Sequence, residues 1–184
     1  MRHAPLSACA CVTSAALLSI VQPAMGSGLA ASGQTIQTVF FVAKSENRNQ
    51  VHYGITLDAA CAPAGDAPVF VYWRMLERDP LATEPLLSRE VPAYGVAWQR
   101  VERRADDGGR VILTLNALPR RPIAIDTSAG AAGCVAEARA WIGGASASLR
   151  SVFVQLRWPF GVGHLLLVGR SPADGRPIVE RVSP

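Results

Sequence analysis

The sequence predicts a mainly β fold: a single-domain antiparallel β-sandwich or closed β-barrel with at most one or two short helices. Three observations carry the prediction. Apolar and polar residues alternate in short runs, the period of a strand with one buried face. Gly, Pro, Asn and Asp punctuate these runs at intervals of about 8–15 residues, a spacing that suits hairpin-connected strands. Apolar stripes at helical spacing do not persist beyond one or two turns. The composition agrees. Of 184 residues, 49% are apolar and 17% charged, with 16 Gly and 13 Pro, which suits a packed chain and excludes collagen, a coiled coil or wholesale disorder.

The chain opens with Met1-Arg2-His3, an apolar run from Ala8 to Val21, then Pro23 and the small residues Ala24 and Gly26. A positive start, a short apolar stretch and small residues around a cut site make 1–26 an expected secretory signal peptide. The run is shorter than the roughly 20 residues of a membrane span, and no later stretch reaches that length, so no membrane span is expected. Leu6-Ser7-Ala8-Cys9 has the letters of a lipoprotein box, but its cysteine precedes the apolar run instead of following it. Residues 27–35 are small and polar and read as a linker, leaving 36–184 as the β-rich domain. The expected location is periplasmic or secreted.

Within that domain, Val39, Phe41 and Ala43 alternate with Phe40, Val42 and Lys44. Glu46-Asn47-Arg48-Asn49 forms a polar tip, and Val51, Tyr53, Ile55 and Leu57 share one face of the returning run, so a hairpin is expected. A Pro/Gly-rich loop spans Asp58 to Pro68. Val69 to Met75 reads as a strand rich in Val, Phe, Tyr and Trp. Glu84 to Glu90 has the spacing of one or two helical turns, ended by Pro92. Val96 to Arg104 is the next strand, turned by Asp106-Asp107-Gly108-Gly109 into the alternating run from Val111. Arg121 to Asp126, Cys134 to Trp141, Ser151 to Trp158, His164 to Val168 and Pro177 to Val182 complete the set, the last two joined by a turn at Ala173-Asp174-Gly175.

Of four cysteines, Cys9 and Cys11 leave with the leader. Cys61 and Cys134 remain as an even pair in a chain expected to be exported, so a Cys61–Cys134 disulfide is expected.

Lys and Arg number 18 against 14 Asp and Glu, a net +4. The signs are interspersed: Arg100, Arg103 and Arg104 surround Glu102 and precede Asp106 and Asp107. Without a basic stripe, nucleic-acid binding is not expected. Beyond the leader the histidines are His52 and His164, and the chain lacks His-Glu-x-x-His, paired Cys-x-x-Cys and a calcium loop, so no metal is expected. Gly144-Ala145-Ser146-Ala147-Ser148 lacks the second glycine of a nucleophile elbow. Gly161-Val162-Gly163 lacks the third glycine of a dinucleotide fingerprint and precedes a strand, so no cofactor is expected. Ser45-Glu46-Asn47 has the form of a Ser-x-Asn element, but Phe41 stands where the companion Ser-x-x-Lys serine would be.

Three constellations remain. The hairpin tip from Lys44 to Asn49, with His52 beside it, offers a charged donor, amides and an acid–base group; it reads either as a ligand-contacting loop or as a solvated turn. Tyr72, Trp73 and Arg74, followed by Tyr94 and Trp98, read as strand aromatics of the core, with Phe70, Tyr72 and Arg74 as an outward binding face should they be exposed. Trp158-Pro159-Phe160-Gly161-Val162-Gly163-His164 reads as a loop carrying two large aromatics. The candidate ligand-binding residues are Lys44, Asn47, Asn49, His52, Tyr72 and Arg74.

The run from Phe40 to Tyr53, together with Pro68-Val69-Phe70-Val71-Tyr72-Trp73-Arg74 and Ala93-Tyr94-Gly95-Val96, resembles a bacterial family, domain of unknown function 4833. The resemblance covers the chain from about Val39 to the end. It implies an exported bacterial β protein and brings no activity, cofactor or partner. The expected function is a non-catalytic ligand- or protein-binding β module of the cell envelope, with an unidentified envelope ligand or protein as partner. The alternatives are a hydrolase-type enzyme using His52 with Lys44 or Glu46, and a structural envelope protein.

Overall fold

The computed structural model describes residues 33–103, 108–157 and 162–183. The expected signal peptide, most of the linker, Asp106, Asp107, Trp158 and Phe160 lie outside the described residues. The elements are β1 (Thr35–Lys44), β2 (Asn47–Leu57), β3 (Val69–Arg74), β4 (Thr83–Pro85), α1 (Val91–Tyr94), β5 (Val96–Arg103), β6 (Gly108–Leu115), β7 (Leu118–Gly130), β8 (Gly133–Ile142), β9 (Ala145–Leu156), β10 (Val162–Arg170) and β11 (Pro177–Val182). The protein is mainly β, with one short helix.

The strands join in the order β4-β3-β2-β1-β9-β8-β7-β6-β5, while β10 takes the other edge of β9 and carries β11 beyond it. The path ends at β4 and β5, so backbone pairing leaves the sheet open, against the closed barrel offered as one expectation. The pairing is also not wholly antiparallel: Phe41–Lys44 of β1 run parallel to Ser151–Val154 of β9. A parallel pair cannot be joined by a tight turn. Here everything from β2 to β8 forms the connection.

Alternation explains the core. Val51, Tyr53, Ile55 and Leu57 of β2 are buried, as are Val111, Leu113 and Leu115 of β6 and Ile123 and Ile125 of β7. They join residues of β1, β3, β8, β9 and β10 in one apolar cluster. β9 keeps its core face across an irregularity. Ala147 and Leu149 are buried, then Val152 and Val154, and the register against β10 shifts between Val168 and Gly169, opposite Arg150. One extra residue restores the alternation after the break.

Other boundaries differ from the sequence expectation. The hairpin turn is Ser45-Glu46 alone, since Asn47, Arg48 and Asn49 already belong to β2. The expected helical turns at Glu84–Glu90 are instead a short strand and a loop, and the helix begins where it was expected to stop. Pro92 sits in its first turn, where a missing N–H costs nothing.

Two features tie distant parts together. Cys61, in the loop after β2, is bonded to Cys134 at the start of β8 (S–S 2.03 Å, Cα–Cα 5.1 Å). Cys61 has φ +59°, a left-handed conformation. It is held by Asp58, whose carboxylate accepts the N–H groups of Ala60 and Ala62, both at 2.9 Å, while the Cys61 N–H donates to the Asp58 carbonyl at 3.0 Å. Between the two arms of the sheet, the Gln99 amide of β5 accepts the Val69 N–H (3.0 Å) and donates to the Val69 carbonyl (3.1 Å). A side chain thus substitutes for strand pairing between β3 and β5.

Two outcomes follow. Replacing both Cys61 and Cys134 by Ser removes a cross-link spanning 73 positions and lowers unfolding free energy by roughly 4 kcal/mol, read from urea titrations of the oxidised parent and the variant. Gln99→Leu orphans both backbone groups of Val69 and costs about 1–3 kcal/mol in the same assay; an unchanged midpoint would show that the bridge contributes nothing.

Candidate functional site

A concave pocket of about 270 Å³ opens beside the β1–β2 turn. Its walls come from segments far apart in the chain: Lys44 ends β1, Asn47 and Asn49 begin β2, Trp73 lies on β3, and Arg89 and Glu90 precede α1. Trp73 shares the inward parity of Val69, and it is buried. Glu90 fixes it, one carboxylate oxygen accepting both the Trp73 indole N–H and the Leu87 backbone N–H at 2.9 Å. Tyr94 meets the indole edge-on with centroids 5.5 Å apart. The Lys44 ammonium stands 5.5 Å from the Trp73 ring centroid and 3.6 Å from the Glu46 carboxylate, between a ring face and an anion.

The amide oxygens of the tip are already engaged. Asn47 Oδ1 accepts the Asn49 N–H, and Asn49 Oδ1 accepts the Glu77 N–H, both at 3.1 Å. What these side chains offer a ligand is therefore their NH2 donors. The pocket presents cations (Lys44, Arg89), amide donors and acids (Glu84, Glu90) around an indole. Glu84 is ion-paired to Arg78 at 2.5 Å.

Three of the six sequence candidates, Lys44, Asn47 and Asn49, meet in this pocket. The other three do not join them. His52, Tyr72 and Arg74 have the opposite parity and lie on the other face of the same strands, beside Phe41 and Phe70. There Phe41, His52 and Tyr72 are direct cross-strand neighbours. Their rings follow one another at 5.5 Å (Phe41–His52) and 5.7 Å (His52–Tyr72), and Phe70 stacks on Tyr72 at 5.8 Å. Gly54 makes room for this row: a Cβ there would stand 2.6 Å from the Phe70 ring. Tyr72 shares a 2.8 Å hydrogen bond with Thr38, His52 Nε2 pairs with Gln50 at 3.0 Å, and Arg74 donates to the Pro80 carbonyl. The expected acid–base pairing of His52 with Lys44 or Glu46 is not assembled, because the sheet separates them.

Sequence reasoning missed Trp73 as a pocket wall, and missed Arg89 and Glu90. Trp73 reads from the sequence as a core aromatic, and it is buried. The helical spacing of 84–90 hid the loop that brings Glu90 to the indole. Trp98, also placed with the core, is exposed. A larger depression of about 650 Å³ lies among Leu118, Arg121, Leu165 and Val182; it contains none of the six candidates.

Burial, and secondarily the Arg74 charge, push the His52 pKa down to about 4 from 6.5. The folded protein therefore resists protonation that the unfolded chain accepts. Stability due to neutral His52 is complete above pH 6.5 and is lost as pH falls through about 4. His52 is only half-buried, so the loss is on the order of 1–2 kcal/mol after solvent screening. Urea midpoints of the parent fall between pH 7 and pH 4, and His52→Phe flattens that part of the profile; an identical pH dependence in both proteins would contradict the assignment.

No curated protein and no solved structure matches the chain. One family model does, the domain of unknown function DUF4833, over residues 40–181. That span runs from Phe40 on β1 to Arg181 on β11 and includes every wall of the pocket and both cysteines of the disulfide. The chain belongs to the DUF4833 family.

Proposed function

We propose that this chain is an exported, non-catalytic binding module of the bacterial cell envelope, and that its ligand occupies the pocket between Lys44, Asn49, Trp73 and Glu90. The carrying observation is the convergence of Lys44, Asn47 and Asn49 with a fixed indole on one concavity. A lysine with only 20% of its side chain exposed is set over an aromatic ring at a pocket wall, and it is the sole lysine of the chain. The ligand class that fits is small and zwitterionic. A carboxylate meets Lys44, Arg89 and the amide NH2 groups, and an ammonium meets the acids opposite.

Export is supported by the leader-like residues 1–26 and by the Cys61–Cys134 bond, which persists in oxidising compartments. A sandwich is the finer fold reading. It is supported by the single apolar cluster fed by both arms of the sheet and by the Gln99–Val69 bridge at their free edges. None of the described helices is long and apolar enough to cross a membrane.

The test is ligand titration against a set of free amino acids, dipeptides and sugar acids, followed through the Trp73 indole N–H resonance, which Glu90 holds in place. At least one carboxylate-bearing compound is expected to shift that signal saturably, with Lys44→Ala and Asn49→Ala weakening binding tenfold or more. Silence across the set, or affinity unchanged in Lys44→Ala, would reject the pocket.

A further inference from the structure

β7 and β11 are clamped together by one ion pair, in which Arg121 donates from both terminal nitrogens to the Glu180 carboxylate at 2.7 and 2.5 Å. The same carboxylate accepts the Gly143 N–H at 2.9 Å, and Arg121 also donates to the Trp141 carbonyl at 3.0 Å. Past this clamp the strands part, toward Leu118 on β7 and Val182 on β11. The gap between them is the recess of about 650 Å³, a size that suits a small-molecule site.

Its floor is apolar. Leu165 of β10 lies there, paired in register with Val182, and Leu118 meets them from the other arm of the sheet. Leu118 and Leu165 are both buried, so the floor is the margin of the core itself. Behind it, the same two leucines and Ala117 line a void of about 20 Å³ that reaches Val42, Tyr53 and Val154. The Tyr53 hydroxyl already donates to the Tyr94 carbonyl at 2.7 Å. The depth of the recess therefore offers apolar contact, and a ligand's polar groups belong at the rim.

The rim carries Arg120, Arg121 and Ser183. Arg121 is neutralised by Glu180. Arg120, next to it in the chain, is exposed and has no hydrogen-bond or ion-pair partner among the described residues. No acid is among the described residues that line the recess. One uncompensated guanidinium thus stands over an apolar floor, and its planar fork matches a carboxylate. A nucleic acid or other polyanion would call for several such cations. A zwitterion would find no acid for its ammonium. A broad protein surface would cover the rim without reaching the buried leucines, whereas a slender alkyl chain can enter. The recess complements a molecule with one anionic end and a narrow apolar body.

We propose that this recess binds a free fatty acid, its alkyl chain lying on Leu118, Leu165 and Val182 and its carboxylate meeting Arg120. The site shares no lining residue with the Lys44 pocket and goes beyond the reading given for that pocket, so the two stand or fall separately.

The experiment is calorimetric titration of the folded, oxidised protein at neutral pH with hexanoate, octanoate and decanoate, each below its micelle concentration, and with octanol as the uncharged probe. Saturable binding is expected, tightening roughly tenfold for each added pair of methylenes. Octanol binds more weakly than octanoate. Arg120→Gln weakens octanoate roughly tenfold, the order of one lost charged hydrogen bond, and leaves octanol at the parent affinity. Arg120 is exposed, so the urea midpoint of that variant stays at the parent value. Ala117→Trp, at an exposed position that lines both the recess and the void behind it, blocks acid and alcohol alike. Lys44→Ala leaves every affinity intact. Absence of binding by all three acids, affinity independent of chain length, octanoate binding unchanged in Arg120→Gln, binding retained in folded Ala117→Trp, or binding lost in Lys44→Ala would each overturn the proposal.

Discussion

Strand β9 has two edges and three partners, and the rest of the molecule is arranged around how they share it. Ser148 pairs with Arg139 of β8 and Arg170 of β10, while Val152 pairs with Val42 of β1 and Leu167 of β10. β10 therefore occupies one edge throughout. On the other edge β8 takes Ala145–Ser148 and β1 takes Ser151–Val154. The changeover falls at Leu149-Arg150, where the strand is irregular and the buried face would otherwise be lost. Two arms thus leave one edge, β1–β4 and β8–β5, and their apolar faces meet in one core. The disulfide and the Gln37 amide, which accepts the Ala136 N–H at 2.9 Å, fasten β1 and the β2–β3 loop to β8 close to that fork.

This arrangement decides where a ligand could be held. β1 is tied to β8 near its start by Gln37 and paired with β9 at its end, over Phe41–Lys44, and the turn residue Ser45 donates to the Val154 carbonyl at 3.1 Å, so the turn is fixed at the margin of the core. Lys44 and Asn49 continue the inward parity of their strands past the last apolar residues, Val42 and Val51, and so line a recess instead of a core. The segment from Glu77 to Glu90 closes the other side. It is held by the Asn49 amide at one end and by the double hydrogen bond to Glu90 at the other. Polar groups at that margin are satisfied by one another, which lets a lysine and a glutamate stand near an indole without an unpaired buried charge.

Much of the strand pattern was legible because period-two alternation survives even where tertiary contacts are unknown. Alternation alone gives the bounds of β11 to the residue, and those of β2, β3 and β8 within a few positions. The cysteine pair was legible from count and context. Three things were not. The parallel pairing of β1 with β9 depends on which edge of β9 remains free after β8 has paired, which no local window contains. The Glu84–Glu90 stretch has helical spacing, but Glu84 pairs with Trp73 of β3 in the sheet and the Glu90 carboxylate accepts the Trp73 indole N–H, so tertiary contact overrides the local signal. The Asn-rich tip suggested a long turn, whereas Asn47 uses its own side chain to brace the Asn49 backbone and remains in the strand.

The six sequence candidates came from two short windows, and alternation necessarily divides such windows between two faces. Lys44 and Asn49 fall on one side of the sheet, His52, Tyr72 and Arg74 on the other, although fewer than ten positions separate Lys44 from His52. Contiguity in sequence therefore works against a shared site on a strand, and contiguity in register works for one. The same rule acts on the far arm. Trp98 and Trp141 are 43 positions apart, yet both take the outward parity of their strands, Trp98 opposite Thr114 of β6 and Trp141 opposite Ser146 of β9. Residues that act together in an antiparallel sheet are those whose positions have matching sums across each pairing, and such sums can be written down only once the pairing is known.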